Sequence, residues 1–189
     1  MSLVVISGDT SGAITLSVPA VAGTNTITVP AVTGTMLTTK AAGTIIQMIQ
    51  STLSSNVNVS SSTFITTGLS VSITPSSTTN KILLNVSGGS MDTAGAGQIV
   101  ATIYKNGTNL MGTGALATVY GTARVAAPVA INYLDSPATT SAITYTVYIA
   151  ASSGSCYFNS TSVGGVAQTT TLTATATATA TTLSATATA

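Results

Sequence analysis

Apolar and polar residues alternate along most of this chain with the two-residue period of a β-strand. Ile45, Gln47 and Ile49 interleave with Ile46, Met48 and Gln50. Leu69, Val71 and Ile73 point one way while Ser70, Ser72 and Thr74 point the other. Pro75–Asn80 reads as a turn and Lys81–Val86 as the next strand. Gln98–Tyr104 resumes the pattern, Val129, Ile131 and Tyr133 repeat it, and Ile143, Tyr145, Val147 and Ile149 form its cleanest run. Cys156–Asn159 and Val166–Leu172 follow. Between these segments, Ser87–Gly97 reads as a Gly-rich loop without periodicity, and Leu110–Tyr120 is weakly patterned.

The turns carry their own chemistry. Lys105-Asn106-Gly107-Thr108 predicts a hairpin, because Asn-Gly tolerates the positive φ angles of a type I′ turn. Asp135-Ser-Pro137 closes a strand, with Asp135 expected to cap the turn through its side chain. Asp9 sits in Gly-Asp-Thr-Ser-Gly, another turn signature. Short strands separated by turns, with no capped helix, predict an all-β fold whose main domain is an antiparallel, jelly-roll-like β-sandwich.

Two segments depart from that pattern. Near the amino terminus, Pro19-Ala-Val-Ala-Gly-Thr24 recurs eleven residues later as Pro30-Ala-Val-Thr-Gly-Thr35. Each unit offers a few strand positions, a Pro that cannot donate to a ladder, and a Gly-Thr turn. Units so short bury no core alone, so residues 1–42 are expected to form an extended attachment or shaft segment that intertwines with its copies. Residues 43–172 form the predicted sandwich. Residues 173–189 are a low-complexity Thr/Ala tail, which fits either a strand with one small face or a flexible extension, since Ala offsets little ordering entropy.

Composition sharpens the functional picture. The chain has 189 residues but only four Lys or Arg and three Asp, with no His. Its charged fraction is 4%, against about 25% in ordinary domains. A net charge of +1 supplies no electrostatic reason to bind nucleic acid or anionic lipid. So few charges also leave strand edges unprotected against association, which points to an assembly that covers them. No stretch approaches the length of a membrane helix, and MSLVVISGDT lacks the basic and apolar regions of a secretory signal.

Catalysis finds little to work with. Acid–base chemistry wants a group titrating near neutrality, and the three Asp are far apart in sequence. Cys156 has strand character and reads as a small buried hydrophobe rather than a nucleophile. Zinc would need several Cys or His ligands, and Asp92 alone is a poor nucleus for Ca²⁺ or Mg²⁺. Sequons at Asn58, Asn85, Asn106 and Asn159 are expected by chance in so hydroxyl-rich a chain. No catalytic, cofactor or metal site is therefore predicted. Asp92, Tyr120 and Arg124 are the candidates for a receptor or interchain contact. Tyr120 and Arg124 flank a loop-like stretch where an aromatic face and a polar head could meet a glycan, although Tyr120 also fits as ordinary strand material.

Several stretches together resemble a β-domain of bacteriophage tail-fibre and related virion proteins. They are Gly43-Thr-Ile-Ile-Gln-Met-Ile-Gln50, Thr67-Gly-Leu-Ser-Val-Ser-Ile-Thr-Pro-Ser-Ser77, Lys81-Ile-Leu-Leu84, Ile103-Tyr-Lys-Asn-Gly-Thr-Asn-Leu110, and Tyr133-Leu-Asp-Ser-Pro-Ala-Thr-Thr140 leading into Tyr145-Thr-Val-Tyr148. The Ile27-Thr-Val-Pro-Ala-Val-Thr-Gly-Thr35 repeat is similar to repeats that precede such domains. The chain departs from that pattern at its end, where Thr171-Leu172 runs into the Thr/Ala tract. The resemblance implies a non-enzymatic virion component without cofactors, a homotrimer exposed on the particle, joined to other virion proteins through the N-terminal segment. It carries over no catalytic residue. A tail fibre that contacts the host surface is the leading expectation. A capsid decoration protein or head fibre, a glycan-binding module and a self-polymerising filament are the alternatives.

Overall fold

The computed structural model describes residues 3–7, 13–17, 43–160 and 166–178. The chain divides into two units, Met1–Met36 and Leu37–Ala189. In the first, β1 (Leu3–Ser7) and β2 (Ala13–Ser17) pair antiparallel, with Leu3 opposite Ser17 and Ser7 opposite Ala13. The Pro-Ala-Val-x-Gly-Thr repeats, and with them most of the expected shaft, lie outside the described residues.

The second unit is all-β, with no helix among the described residues. Its strands are β3 (Ile45–Leu53), β4 (Val57–Val59), β5 (Ile65–Ile73), β6 (Lys81–Asp92), β7 (Gly97–Lys105) and β8 (Thr108–Asn109). They continue as β9 (Ala117–Gly121), β10 (Ala126–Asp135), β11 (Ile143–Ala151), β12 (Cys156–Phe158) and β13 (Thr170–Thr177). One antiparallel sheet runs β3-β13-β6-β12-β4, with β10 also on β6; the other runs β5-β11-β7-β8, with β9 also on β7. Their facing sides bury Ile82, Leu84, Val86, Ile131 and Phe158 against Leu69, Ile73, Ile99, Ile103, Val147 and Ile149. The predicted β-sandwich is the observed fold, and its alternating positions are the ones that fill the core.

The Asn106-Gly107 hairpin forms as expected. Both residues have positive φ, 48° and 83°, and Lys105 pairs with Thr108 across the turn. The Asn106 side chain accepts a hydrogen bond from the Thr144 N–H of β11, which ties the turn to the neighbouring strand.

Two expectations are corrected. Ser87–Gly97 is not a loop: β6 runs on to Asp92, and only residues 93–96 separate it from β7. The alternation vanishes there because Gly88 and Gly89 form a bulge, where the register with β10 shifts between Pro128 and Ala130. Gly89 has a φ of 61° and lies so close to Thr170 and Asn159 that a Cβ would collide with both. Nor does the sandwich stop at Leu172. Thr170–Thr177 is a central strand, hydrogen-bonded to β3 on one side and β6 on the other. Leu172, Ala174 and Ala176 are fully buried, so Ala is what the narrow slot between the sheets accepts. The rest of the Thr/Ala tail, residues 179–189, lies outside the described residues.

Candidate functional site

Of the three residues singled out in the sequence, the structure brings two together. Asp92 ends β6 fully buried, and Arg124 lies in the loop between β9 and β10. Arg124 Nε stands 3.2 and 3.1 Å from the two carboxylate oxygens, and Nη2 donates to Oδ2 at 2.6 Å. The Ala94 N–H also donates to Asp92 Oδ1. These bonds raise the Arg124 pKa further, against a smaller opposing effect of burial. The loop is fastened beside them by Thr93 N–H to the Val125 carbonyl and Val125 N–H to Thr93 Oγ1. The Asp92–Arg124 pair thus closes the β9–β10 loop over the end of β6. Tyr120 stands apart on β9, 67% exposed, opposite Gln98 of β7.

Asp135 departs from the expected turn cap. Its carboxylate faces inward from β10, accepts the Tyr145 hydroxyl at 2.6 Å and pairs with Lys105 Nζ at 3.1 Å. Tyr145 and Lys105 belong to the opposite sheet, so the cluster links the two layers. Burial, then the bond to Asp135, pushes the Tyr145 hydroxyl well above its ordinary pKa. Cys156 is also buried, its thiol pushed up by that burial and then by the charge of Asp92. That environment opposes thiolate formation and hence nucleophilic chemistry. Each acid among the described residues is therefore committed to a pairing that holds the fold. Those residues include no group of three or more His, Cys, Asp or Glu able to hold a metal.

Asn159 forms a second polar knot, with a φ of 63° and no exposure. Its Nδ2 lies 2.8, 2.9 and 2.6 Å from the Leu53, Ser55 and Gln168 carbonyls, which share its two N–H groups, while Oδ1 accepts from Thr170 Oγ1. Burial removes this sequon from any modifying enzyme in the folded protein.

A site that the sequence did not disclose lies on the outer face of the β5-β11-β7 sheet. A groove of about 400 Å³ is lined by Phe64, Val100 and Ala150, with Ser62, Gln98 and Thr118 among its polar groups. No lining residue is charged. Beside it, Phe64 meets the edge of Tyr104, which stacks on Tyr148 with ring centroids 3.9 Å apart. An aromatic wall beside neutral hydrogen-bonding groups suits an uncharged, hydroxylated ligand. Four separated chain stretches build the groove, and no spacing in the sequence announces it.

No protein-family model matches the chain, and no curated protein does. Among solved structures, a mutant VP2 protein of infectious bursal disease virus aligns at 15% identity with a TM-score of 0.37, covering 91% of this chain and 46% of that one. The structure of the virus's Gt strain aligns at 13% identity and a TM-score of 0.36, covering 91% of this chain and 47% of that one. The chain thus spans less than half the length of these neighbours, and at such TM-scores the likeness decides neither detailed topology nor function.

Proposed function

We propose that this chain is a non-enzymatic structural protein of a phage virion, most simply a short trimeric tail fibre exposed on the particle. The resemblance of residues 44–172 to fibre domains suggests it, and one structural observation carries it. The acids of the sandwich are consumed in Asp92–Arg124 and Asp135–Lys105 pairs, leaving a hydroxyl, amide and apolar surface. On the outer face of the first sheet, Thr173 stands between Gln50 and Asn85, and Asn85 faces Asn132. Lys81 of β6, hydrogen-bonded to Ser136, is the charge on that face; the rest keeps solubility through neutral hydrogen bonding and presents little like-charge repulsion to a second copy. Light scattering on the purified chain and antibody labelling of virions test this reading. A discrete trimer located at the tail supports it. Labelling at the head moves the assignment to a decoration protein or head fibre, and absence from purified particles overturns the virion reading.

A second reading has its own observation. The uncharged groove beside Phe64 supports recognition of a neutral host glycan, displaced from the Tyr120–Arg124 stretch that the sequence suggested. Saturable binding of host polysaccharide, lost in Gln98→Ala and retained in Arg124→Ala, is the expected result. The reverse pattern sinks the groove assignment.

A further inference from the structure

The buried strand β13 has a second copy in the same chain. Thr171-Leu-Thr-Ala-Thr-Ala-Thr-Ala178 is repeated as Thr182-Leu-Ser-Ala-Thr-Ala-Thr-Ala189, with Ser184 for Thr173 the one difference. In the first copy Leu172, Ala174 and Ala176 face the core, while the Thr residues between them face outward. The second copy presents the same alternation and so is equipped for the same kind of place: beside an uncharged strand, with its small side chains turned inward.

The sandwich offers such a place at β3. Among the described residues, β3 pairs on one side only, with β13. Its sequence, IIQMIQSTL, contains no charge and no Pro, the usual devices that blunt a strand edge. Ile49 and Leu53 pack on the core yet remain only half-buried, and Ile45 and Met48 are 62% and 65% exposed.

The chain's own tail cannot easily reach that edge. Ala178 is fixed at the start of β3, its carbonyl accepting from Gly43 N–H and its N–H donating to the Thr44 carbonyl. Passing over β3 to its far side means crossing two strand spacings, about 9.6 Å. The links from Ala178 to Thr182 extend to at most about 14 Å, which leaves almost no length for the reversal that must follow.

We propose that residues 182–189 of one copy add as an antiparallel strand to the free edge of β3 in a second copy. The contact is heterologous, tail to edge, so it builds closed rings or open chains of copies according to the rotation between them. Main-chain hydrogen bonds supply the attraction, and Leu183, Ala185 and Ala187 cover the open flank of Ile49 and Leu53. The inference holds whether or not the protein belongs to a virion.

The test uses full-length chains. A tail variant, Leu183→Asp with Ala185→Asp, is immobilised, and soluble wild type or soluble tail variant is passed over it. Wild type is expected to bind, and the soluble tail variant to bind at least about tenfold more weakly, a difference of ~1.4 kcal/mol. Any association through the N-terminal unit contributes equally to both arms. Adding Met48→Lys and Gln50→Lys to the immobilised chain should abolish the difference. Equal binding in both arms, or no binding of wild type because its tail is engaged within its own chain, overturns the proposal. Infrared amide I spectra check that each variant keeps its sheets. If the double edge variant loses them, Thr52→Lys on the exposed side of β3 replaces it.

Discussion

Arg124 reaches Asp92 through both Nε and Nη2, with the shortest bond at 2.6 Å, although Asp92 is fully buried and the Arg124 side chain keeps 42% of its exposure. Truncating the arginine leaves a buried carboxylate with no cation beside it. Arg124→Ala should therefore lower the thermal midpoint. Asp92→Asn, which removes the charge and leaves an oxygen for Ala94 N–H, should make the arginine dispensable. In urea unfolding, the Asp92→Asn/Arg124→Ala double variant should be more stable than the summed single losses predict. Strict additivity would show that the pair is not coupled.

The small residues of β13 make a sharper demand. Ala174→Leu places three extra carbons in a filled slot between the sheets and should cost about 1–3 kcal/mol. Thr175→Val, on the outer face, should stay within about 0.5 kcal/mol. If urea midpoints for the two variants coincide, the segment is not the inner strand described.

Asn159, in a left-handed conformation, shares its two amide N–H groups among three backbone carbonyls and accepts from Thr170 Oγ1. At about 1 kcal/mol for each of the two N–H donors and for the bond accepted from Thr170, Asn159→Ala should cost roughly 3 kcal/mol. Gly89→Ala should be destabilising for a related reason, since its Cβ would strike Asn159 and Thr170. Calorimetry that finds either variant as stable as wild type would count against the knot.

Alkaline pH should weaken the fold. Tyr145 and Cys156 both have folded pKa values raised above their unfolded ones. Between unfolded and folded values, the native state holds protons that the unfolded chain has released, so stability falls as pH rises. The loss should begin near the unfolded cysteine value of about 8.5 and steepen above the unfolded tyrosine value of about 10. Urea midpoints measured from about pH 8 to pH 11 should show it. Cys156→Ala should remove the early part and Tyr145→Phe the later part. A flat profile in wild type would contradict both assignments.

Salt should matter little. Among the described residues the ion pairs are Asp92–Arg124 and Asp135–Lys105, each with a largely buried acid. Screening shortens to about 3 Å at 1 M salt, which acts chiefly on exposed charges that this chain mostly lacks. Sedimentation in 1 M NaCl, at about that screening length, should reproduce the low-salt mass. A marked loss of association there would mean that charge holds the copies together.

The class of fold is written in local sequence. Period-two alternation at Leu69–Ile73, Lys81–Val86 and Ile143–Ile149 dictates which side chains turn inward, and Asn106-Gly107 dictates a hairpin, because both are local geometry. Where local pattern is broken or monotonous, it does not specify the strand. The Gly88–Gly89 bulge erased the alternation and hid the end of β6. The Thr/Ala tract fits a tail as well as a strand because Ala carries little hydrophobic signal, yet the narrow space between β13 and the facing sheet requires just such a residue. It takes the packed sheets to bring Asp135 to Tyr145 across the layers, Asp92 to Arg124, and Phe64, Gln98 and Thr118 into one groove. Those are contacts between residues distant in sequence. They depend on strand order and sheet packing, which a two-residue period leaves undetermined.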